Sequence, residues 1–407
     1  MSYNKLYPES TTVEMDECLP MRVVIITENF LPKLDGVTRT LAKLLEYLQM
    51  AGHQALLLGP DSGMEKYAGA EIIGTAGFPL PFYPELKFNF FRPLFVRRLN
   101  QFRPHLVHVV DPVVLGTAGL AAARMLNTPL VSSYHTNLAA YCGYFGFPML
   151  TRTMWAYTRF LHNHCSLTFC PSPSTADLLH KQGFQHLRVW PRGVETTLFQ
   201  PGRRSLELRA SWLNSREQPA EKAVLLYVGR VSWEKNLRLL IKAYRGMDHR
   251  HCHLVIVGNG PAYSEIQQEQ AGLPVTLTGY LSGEALAAAY ASADIFAFTS
   301  RTETFGQVVL EAMASGLPVV GLLAEGVCDL VDHERTGFLL DTSQSCEEQI
   351  AGFRAWLEYL VFNHERRSIM GQAALVEAQQ RSWSEAMKCL VRGYEEVIET
   401  QKAPVAA

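Results

Sequence analysis

Short apolar runs rich in Val, Ile and Leu alternate with segments of helical periodicity along the first half of the chain. The run MRVVIIT at 21–27 has the length and β-branched content of a buried parallel strand. Strands that alternate with helices over short connections are typical of a doubly wound sheet, because crossover helices join its parallel strands. The pattern predicts strands at 21–27, 54–59, 105–110 and 129–135, and helices at 38–52, 92–102 and 116–126.

The same alternation starts again after a polar, helix-compatible stretch at 203–222. A composition shift beside a turn rich in Pro and Gly is the usual form of a linker, so we expect the boundary between residues 193 and 221. The fold class is therefore α/β, with two Rossmann-like, doubly wound domains in series. We assign 1–20 to an N-terminal extension, 21–200 and 201–380 to the two domains, and 381–407 to a C-terminal segment.

Length and composition agree with a two-domain globular protein. The chain has 407 residues, which exceeds the usual domain size of about 100–200 residues and predicts a cleft between two domains. Hydrophobic residues make up 48% and charged residues 19%, which is not the composition of a disordered chain. The formal net charge of −2 excludes a global field that would attract nucleic acid, so any anion site must be local.

The cysteines and the hydropathy pattern indicate a cytoplasmic protein that is soluble or peripheral at a membrane. The eight cysteines form no C-x-x-C pair, which fits a reducing compartment. No apolar run is long enough to span a bilayer, and the first twenty residues contain four acidic side chains instead of a signal-peptide pattern.

Two carboxylates, Glu303 and Glu311, flank the dipeptide Phe305-Gly306. A helix that begins just after Gly306 would carry Glu311 on its second turn and leave Glu303 in the preceding loop. The N-terminus of such a helix offers backbone N–H donors that suit an anion or a set of hydroxyls. The alternative is a capped surface helix with Glu311 in solvent.

Two cations follow another predicted strand, in the segment YVGRVSWEKN. Arg230 and Lys235 are five residues apart, and both side chains could reach one diphosphate. The alternative is an exposed pair of cations, with Glu234 bound to a neighbouring side chain.

Three further segments stand where predicted strands end, the edge at which open α/β sheets bind ligands. Gly36 opens a helix after the first strand, although the segment lacks the G-x-G-x-x-G fingerprint, which disfavours a nicotinamide-dependent oxidoreductase. His135 in SYHTN is either a site residue or a histidine satisfied within the fold. Gly258 and Gly260 in VGNGP indicate either a nucleotide contact or a tight turn.

In their order along the chain, these features resemble those of the retaining GT-B glycosyltransferases with a Glu-x7-Glu motif, the family 4-like enzymes. The resemblance extends from Met21 to the C-terminal helix and is most specific between Glu303 and EAMASGLPVV. The segments TENFLPKLDGV, SYHTN, VWPRGVETTLF and TETFGQVVLEA are most similar to two branches. These are the sulfoquinovosyl-diacylglycerol synthases and the bacterial GDP-mannose-dependent α-mannosyltransferases that build glycolipids.

The resemblance implies a role for each candidate residue. Arg230 and Lys235 would neutralise the diphosphate leaving group, so that no metal or other cofactor is required. His135 would lie beside the transferred sugar, and Gly36 would approach the donor phosphate. The donor would also contact Glu303 through its sugar hydroxyls, Glu311 through its ribose, and the backbone of the helix start and Gly-rich turn at Phe305, Gly306, Gln307, Gly258 and Gly260.

The implied function is retaining transfer of a hexosyl group from GDP-mannose or a UDP-sugar such as UDP-sulfoquinovose to a hydroxyl acceptor. The first domain would bind the acceptor, a lipid or a small molecule, and the second the nucleotide sugar. The final helix at 381–407 would return to the first domain. The alternatives are a nucleotide-sugar 2-epimerase of the same fold and a non-catalytic, membrane-associated binding module.

Two aromatic and basic segments, 87–103 and 141–160, are candidates for acceptor or membrane contact. The first interleaves Phe, Leu and Arg, which suits either an amphipathic face on a membrane or a helix packed on the sheet with its arginines in solvent. The second suits either an apolar acceptor channel or the protein core.

Overall fold

The computed structural model describes residues 20–32, 36–80, 83–89, 92–144, 146–213 and 222–402. These residues form two compact units. The N-terminal unit contains residues 20–192 together with 383–402, and the C-terminal unit contains residues 193–382. The chain thus leaves the N-terminal unit at Arg192 and rejoins it at Trp383.

The N-terminal unit is built on an eight-stranded sheet of order β10-β9-β8-β7-β1-β2-β4-β3. All neighbouring pairs are parallel except β3 with β4, and β5 pairs with β6 in a separate antiparallel hairpin. The strands are β1 (Arg22–Thr27), β2 (Gln54–Pro60), β3 (Lys66–Tyr67), β4 (Ala70–Thr75), β5 (Gly77–Leu80), β6 (Tyr83–Asn89), β7 (Leu106–Val110), β8 (Leu130–Ser133), β9 (Leu167–Cys170) and β10 (Leu187–Val189).

Helices connect these strands, and the last helix of the chain also belongs to this unit. They are α1 (Gly36–Met50), α2 (Pro93–Phe102), α3 (Leu115–Met125), α4 (Leu138–Tyr144), α5 (Thr151–Asn163), α6 (Pro173–Lys181) and α14 (Trp383–Lys402). Helix α14 packs against α1 and β9, and its residues Leu390 and Tyr394 are fully buried. The last helix therefore contributes to the core of the unit that the chain begins.

The C-terminal unit has a six-stranded parallel sheet of order β13-β12-β11-β14-β15-β16. Its strands are β11 (Ala223–Val228), β12 (Cys252–Val257), β13 (Val275–Gly279), β14 (Ile295–Phe298), β15 (Val319–Leu322) and β16 (Gly337–Leu340). Its helices are α7 (Leu206–Leu213), α8 (Leu237–Arg245), α9 (Tyr263–Glu269), α10 (Gly283–Ser292), α11 (Gln307–Ala314), α12 (Cys346–Phe362) and α13 (His364–Gln379).

Burial explains why these sequences form strands. Every residue of β11, β12, β14 and β15 is buried, which a parallel strand covered on both faces requires and which a continuous apolar run provides. The predicted α/β class, with two Rossmann-like halves of mainly parallel sheet, is confirmed. The expected extension, residues 1–20, lies outside the described residues except for Pro20.

Candidate active site

Two loops at the carboxyl edge of the C-terminal sheet contain most of the predicted site residues. One loop follows β11 and includes Arg230 and Lys235, and the other follows β14 and includes Glu303. Strands β11 and β14 are parallel neighbours, so their carboxyl ends lie side by side and bring the two loops together.

Lys235 and Glu303 form an ion pair. The Lys235 Nζ donates to Glu303 Oε1 at 2.6 Å, and the side chains are 14% and 19% exposed. The Thr299 hydroxyl adds a second link, because it donates to the Lys235 carbonyl oxygen at 3.1 Å. The alternative of an exposed pair of cations is therefore wrong for Lys235. Its other part, a Glu234 bound to a neighbouring side chain, is observed, because the Ser232 hydroxyl donates to Glu234 Oε1 at 2.6 Å.

Arg230 lies on the same loop, where the environment acts on its charge in two directions. Burial lowers the pKa of its guanidinium, and the negative charge of Glu234 opposes that effect. The buried Tyr227 hydroxyl donates to the Arg230 carbonyl oxygen at 3.2 Å and holds the backbone of the loop. The pKa of Tyr227 is well above its usual value because of burial, with a further contribution from the charge of Glu303.

Gly258 and Gly260 brace this loop from the adjacent turn. Gly258 has φ +141°, and a Cβ there would lie 1.9 Å from the carbonyl oxygen of Gly229. A Cβ on Gly260 would lie 2.4 Å from the carbonyl oxygen of Val231, whose N–H donates to the Asn259 carbonyl at 3.0 Å. Glycine is needed at both positions because the backbone of this turn touches the backbone of the loop after β11. Of the two interpretations from sequence, a tight turn and a nucleotide contact, the packing explains the glycines by the turn.

Helix α11 begins at Gln307, directly after Phe305-Gly306 as predicted. Gly306 adopts φ +88° as the N-cap, a conformation that favours glycine. Phe305 is buried, and the Gln307 side-chain amide donates to the Gly193 carbonyl at 3.0 Å. The chain segment that enters the C-terminal unit is thus fastened to the start of this helix.

Glu311 is 2% exposed, so the alternative of a solvent-facing acid on α11 is wrong. The Tyr290 hydroxyl of α10 donates to Glu311 Oε2 at 3.1 Å. A buried carboxylate that is held by a hydroxyl keeps a fixed orientation, because leaving a buried charge without hydrogen bonds is costly.

In the N-terminal unit, Gly36 is the exposed first residue of α1. A Cβ at Gly36 would meet nothing within 4 Å, so the fold itself does not require glycine there. Residues 33–35 of the motif that precedes α1 lie outside the described residues.

His135 follows β8 and is 8% exposed, with both ring nitrogens hydrogen-bonded inside the protein. Arg192 Nη2 donates to His135 Nδ1 at 2.8 Å, and Ser133 Oγ lies 2.8 Å from His135 Nε2. Burial and the neighbouring charge of Arg192 hold the pKa of His135 well below its usual value, so the imidazole is neutral. His135 is therefore satisfied within the fold, and it still lies at the carboxyl edge where it was predicted.

Sequence reasoning missed three charged residues at this edge: Glu28, Asp111 and Arg192. Glu28 Oε1 accepts N–H donors from the start of α3, with Val114 and Leu115 both at 2.7 Å. Asp111 Oδ1 accepts the His135 N–H at 2.6 Å and thereby joins the ends of β7 and β8. Two of the three, Glu28 and Arg192, lie inside the motifs TENFLPKLDGV and VWPRGVETTLF. A charged residue shortly after the end of a strand was therefore the sequence feature that could have identified them.

Within the described ranges, no group of three or more His, Cys, Asp or Glu is arranged to hold a metal ion. No helix in the same ranges has the length and apolar content needed to cross a membrane.

Comparison with known families covers both units. Residues 34–198 match Glycosyltransferase Family 4, and residues 209–375 match Glycosyl transferases group 1. A GDP-mannose-dependent alpha-mannosyltransferase of Corynebacterium glutamicum is 33% identical over 96% of this chain and 93% of its own length. The chain belongs to the family 4 glycosyltransferases.

Two further comparisons place this transferase. It is 32% identical to the sulfoquinovosyl transferase SQD2 of Arabidopsis thaliana, over 90% of this chain and 72% of that protein. The crystal structure of Anabaena Alr3699/HepE in complex with UDP superposes with a TM-score of 0.72 at 19% identity, over 92% of this chain and 100% of that one. The transferase therefore has the GT-B fold predicted from its motifs.

Proposed function

We propose that this transferase moves a mannosyl or related hexosyl group, with retention of the anomeric configuration, from GDP-mannose or a UDP-sugar to the hydroxyl of a lipid acceptor. The observation that carries the proposal is the Lys235–Glu303 ion pair at the carboxyl edge of the C-terminal sheet, beside the helix start at Gln307. Similarity to a GDP-mannose-dependent enzyme and to a sulfoquinovosyl transferase supports the choice of donors.

The ion pair supplies a cation for the diphosphate of the donor and a carboxylate for its sugar hydroxyls. A bound diphosphate would compete with Glu303 for the Lys235 ammonium, since phosphate oxygens are strong acceptors of charge-assisted hydrogen bonds. The released Glu303 carboxylate would then accept hydrogen bonds from the sugar hydroxyls. Negative charge grows on the diphosphate as it departs, and fixed cations stabilise it most in the transition state.

Arg230 and Glu311 would complete the donor contacts. Arg230 offers a fork of N–H donors to the same diphosphate, and its partly desolvated charge interacts more strongly than a charge in water. Glu311 would bind the ribose hydroxyls through a carboxylate that Tyr290 already orients. The backbone around Gly306 would support the sugar, and Gly36 and His135 would contribute from the N-terminal unit.

The proposed lipid acceptor and a peripheral membrane contact are supported by the surface of α5 and the turn before it. Met149, Leu150 and Phe160 are 83%, 47% and 57% exposed, and the exposed Arg152 accompanies them. Exposed apolar side chains beside a cation suit the boundary of a membrane with anionic lipids. On α2, by contrast, Phe95 and Leu99 are buried while Arg97 and Arg98 are exposed, so this helix packs an apolar face into the fold with its arginines in solvent.

The test measures sugar transfer by the purified protein with GDP-mannose, UDP-glucose and UDP-sulfoquinovose, in the presence of lipid vesicles that contain diacylglycerol. We expect one donor to release its nucleotide in proportion to glycolipid formed, and NMR of the product to show the donor's anomeric configuration. A converted nucleotide sugar without transfer would indicate an epimerase, and no turnover would indicate a binding module.

Replacement of either cation tests the site. Arg230→Ala or Lys235→Ala should cost roughly 2–4 kcal/mol of transition-state stabilisation, about a hundredfold in rate, because a donor to the leaving group is removed. The matched control is Lys242→Ala, which removes an exposed lysine of α8 in the same unit. Rates within a few-fold of the parent in both site variants would remove the diphosphate assignment.

A further inference from the structure

Four buried polar side chains form a row of hydrogen bonds with His135, with Arg192 on one side of the ring and Ser133, His108 and Tyr394 on the other. Arg192 is 5% exposed, and Ser133, His108 and Tyr394 are all completely buried. Ser133 Oγ lies 2.8 Å from His108 Nε2, and His108 Nδ1 lies 2.6 Å from the Tyr394 hydroxyl. The hydrogen bonds therefore run without a break from Arg192 through His135 to α14.

Chemistry fixes the hydrogens at the His135 end of this chain of contacts. A guanidinium can only donate, so the Arg192 bond requires an unprotonated Nδ1 on His135. The neutral ring must then carry its hydrogen on Nε2, and Ser133 Oγ accepts it at 2.8 Å. His108 and Tyr394 hold Ser133 from the other side, and both possible tautomers of His108 preserve that contact.

Arg192 itself is locked in place. Its Nη1 donates to the Trp190 carbonyl oxygen at 3.0 Å, and its guanidinium carbon lies 4.2 Å from the centre of the Trp190 ring. Burial lowers the pKa of Arg192 to about 9, opposed by the charge of Asp111, so the group stays charged at neutral pH. A fixed cation that donates to Nδ1 opposes a second proton on the imidazole.

Other titratable groups surround the imidazole on several elements. Asp111, after β7, accepts the His135 backbone N–H, and its carboxylate stabilises the positive charge of Arg192. The remaining groups are neutral or oppose protonation of the ring: His108 on β7, His162 on α5, Cys170 on β9 and Tyr394 on α14.

We propose that Arg192 and Ser133 are positioning residues that hold His135 as its neutral Nε2–H tautomer, with His108 and Tyr394 fixing Ser133 from the core. This inference rests on the proposed function, in which His135 lies beside the transferred sugar. An imidazolium there would repel the positive charge that develops on the sugar as the diphosphate leaves, so a second proton would slow transfer.

The first experiment observes the tautomer directly, by NMR of the full chain with isotope-labelled histidine between pH 5.5 and 8. This experiment needs neither the sugar donor nor the acceptor substrate, so its result is valid even if no sugar transfer is found. We expect His135 to carry hydrogen on Nε2 and not to titrate. A hydrogen on Nδ1, or titration near 6.5, would overturn the proposal.

Variants then separate positioning from structural support. Arg192→Met should allow His135 to titrate within this range and should lower kcat about tenfold for each pH unit below the new pKa, with donor KM little changed. Arg192→Lys retains a cation and should restore most of the loss at low pH. Ser133→Ala should keep the Nε2–H tautomer, because Arg192 still donates to Nδ1, but should shift the Nε2–H signal of His135, because that hydrogen loses its acceptor.

Ser132→Ala is the matched control, because Ser132 is an equally buried serine on β8 that contacts His162 at 2.8 Å instead of His135. It should leave the His135 signals and the pH profile unchanged. If Arg192→Met or Ser133→Ala does not fold, Tyr394→Phe provides a milder change. It removes the hydroxyl that contacts His108 Nδ1 and should broaden or shift the NMR signal of His108. Equal effects of Ser132→Ala and Ser133→Ala on His135 would overturn the proposal.

Discussion

At the scale of single residues, the two glutamates of the motif differ in their surroundings. Glu303 is bound to a lysine in a loop, whereas Glu311 is 2% exposed and bound to a tyrosine hydroxyl. In the proposed function the first contact would be exchanged for a ligand at the edge of the sheet, while the second fixes a carboxylate inside the fold. Two acids eight residues apart therefore suit two different tasks.

Their amide variants should separate those tasks. Glu303→Gln should lower kcat about a hundredfold, because its interaction with the sugar strengthens in the transition state. It should not weaken nucleotide affinity, because the neutral amide competes less with the diphosphate for Lys235. Glu311→Gln should mainly raise donor KM, the pattern of binding that is equal in ground and transition states. Steady-state kinetics and calorimetry with free nucleotide measure both effects.

Glu284→Gln serves as the control, because Glu284 on α10 is 82% exposed and pairs with the Arg203 guanidinium at 3.4 Å. It should behave like the parent. If both motif variants changed kcat and KM equally, the acids would be structural ties and the division of roles would be incorrect.

Sequence could locate these acids but not their partners. The helix start after Gly306 is a local signal, and so is the position of Glu303 before it. The pairing of Glu303 with Lys235 spans 68 residues and depends on β11 lying next to β14, which no local pattern specifies. Arg192 was missed for the same reason, since its partner His135 is 57 residues away.

At the scale of elements, the turn after β12 supports the loop after β11 through direct backbone contact. Gly258→Ala should destabilise the protein by roughly 1–3 kcal/mol from backbone strain alone, and the displaced Gly229 should disturb Arg230 and lower activity. Thermal unfolding and the transfer rate measure the two effects.

Gly36→Ala is the comparison for Gly258→Ala, because a Cβ at Gly36 would meet no neighbouring atom within 4 Å. It should leave stability unchanged or raise it by about 0.4–1 kcal/mol, because alanine restricts the unfolded chain. A raised donor KM in this stable variant would support close approach of a phosphate to α1. A stable Gly258→Ala protein with normal activity would instead show that the turn can shift at little cost.

The elements predicted from sequence were those with a strong repeating pattern. Fully buried parallel strands such as β11 and β12 are continuous apolar runs, and amphipathic helices such as α1 repeat every three to four residues. The missed strands are β3 to β6, β9, β10 and β16. Strands β3, β5, β9, β10 and β16 have at most four residues, and β4 and β6 contain Gly, Pro or charged residues. Such strands form because of the neighbours with which they pair, and their own sequences do not show those neighbours.

At the scale of the whole molecule, buried histidines should make stability depend on pH. Burial lowers the pKa of His108 and His162 in the N-terminal unit to about 3 and that of His253 in the C-terminal unit to about 4. Unfolded histidines protonate near 6.5, so between about pH 6.5 and these values the unfolded chain binds more protons than the folded chain.

Stability should therefore fall as pH decreases from 7 to 5, by about 1.4 kcal/mol per pH unit for each such imidazole once the pH is below 6. Urea unfolding at several pH values measures this slope. His162→Gln should lower stability at pH 7, because it disturbs the contact with Ser132, but should reduce the slope. An unchanged slope in this variant would contradict the assignment.

The return of the chain to its first unit has a consequence for synthesis on the ribosome. Leu390 and Tyr394 of α14 fill the core of the N-terminal unit, yet they are translated after the whole of residues 193–382. At about 5–20 residues per second, translation of the intervening segment takes on the order of 10–40 seconds. During that interval the nascent N-terminal unit lacks its last helix, and the hydrogen bond between Tyr394 and His108 cannot form. The unit that leaves the ribosome first is therefore the one completed last.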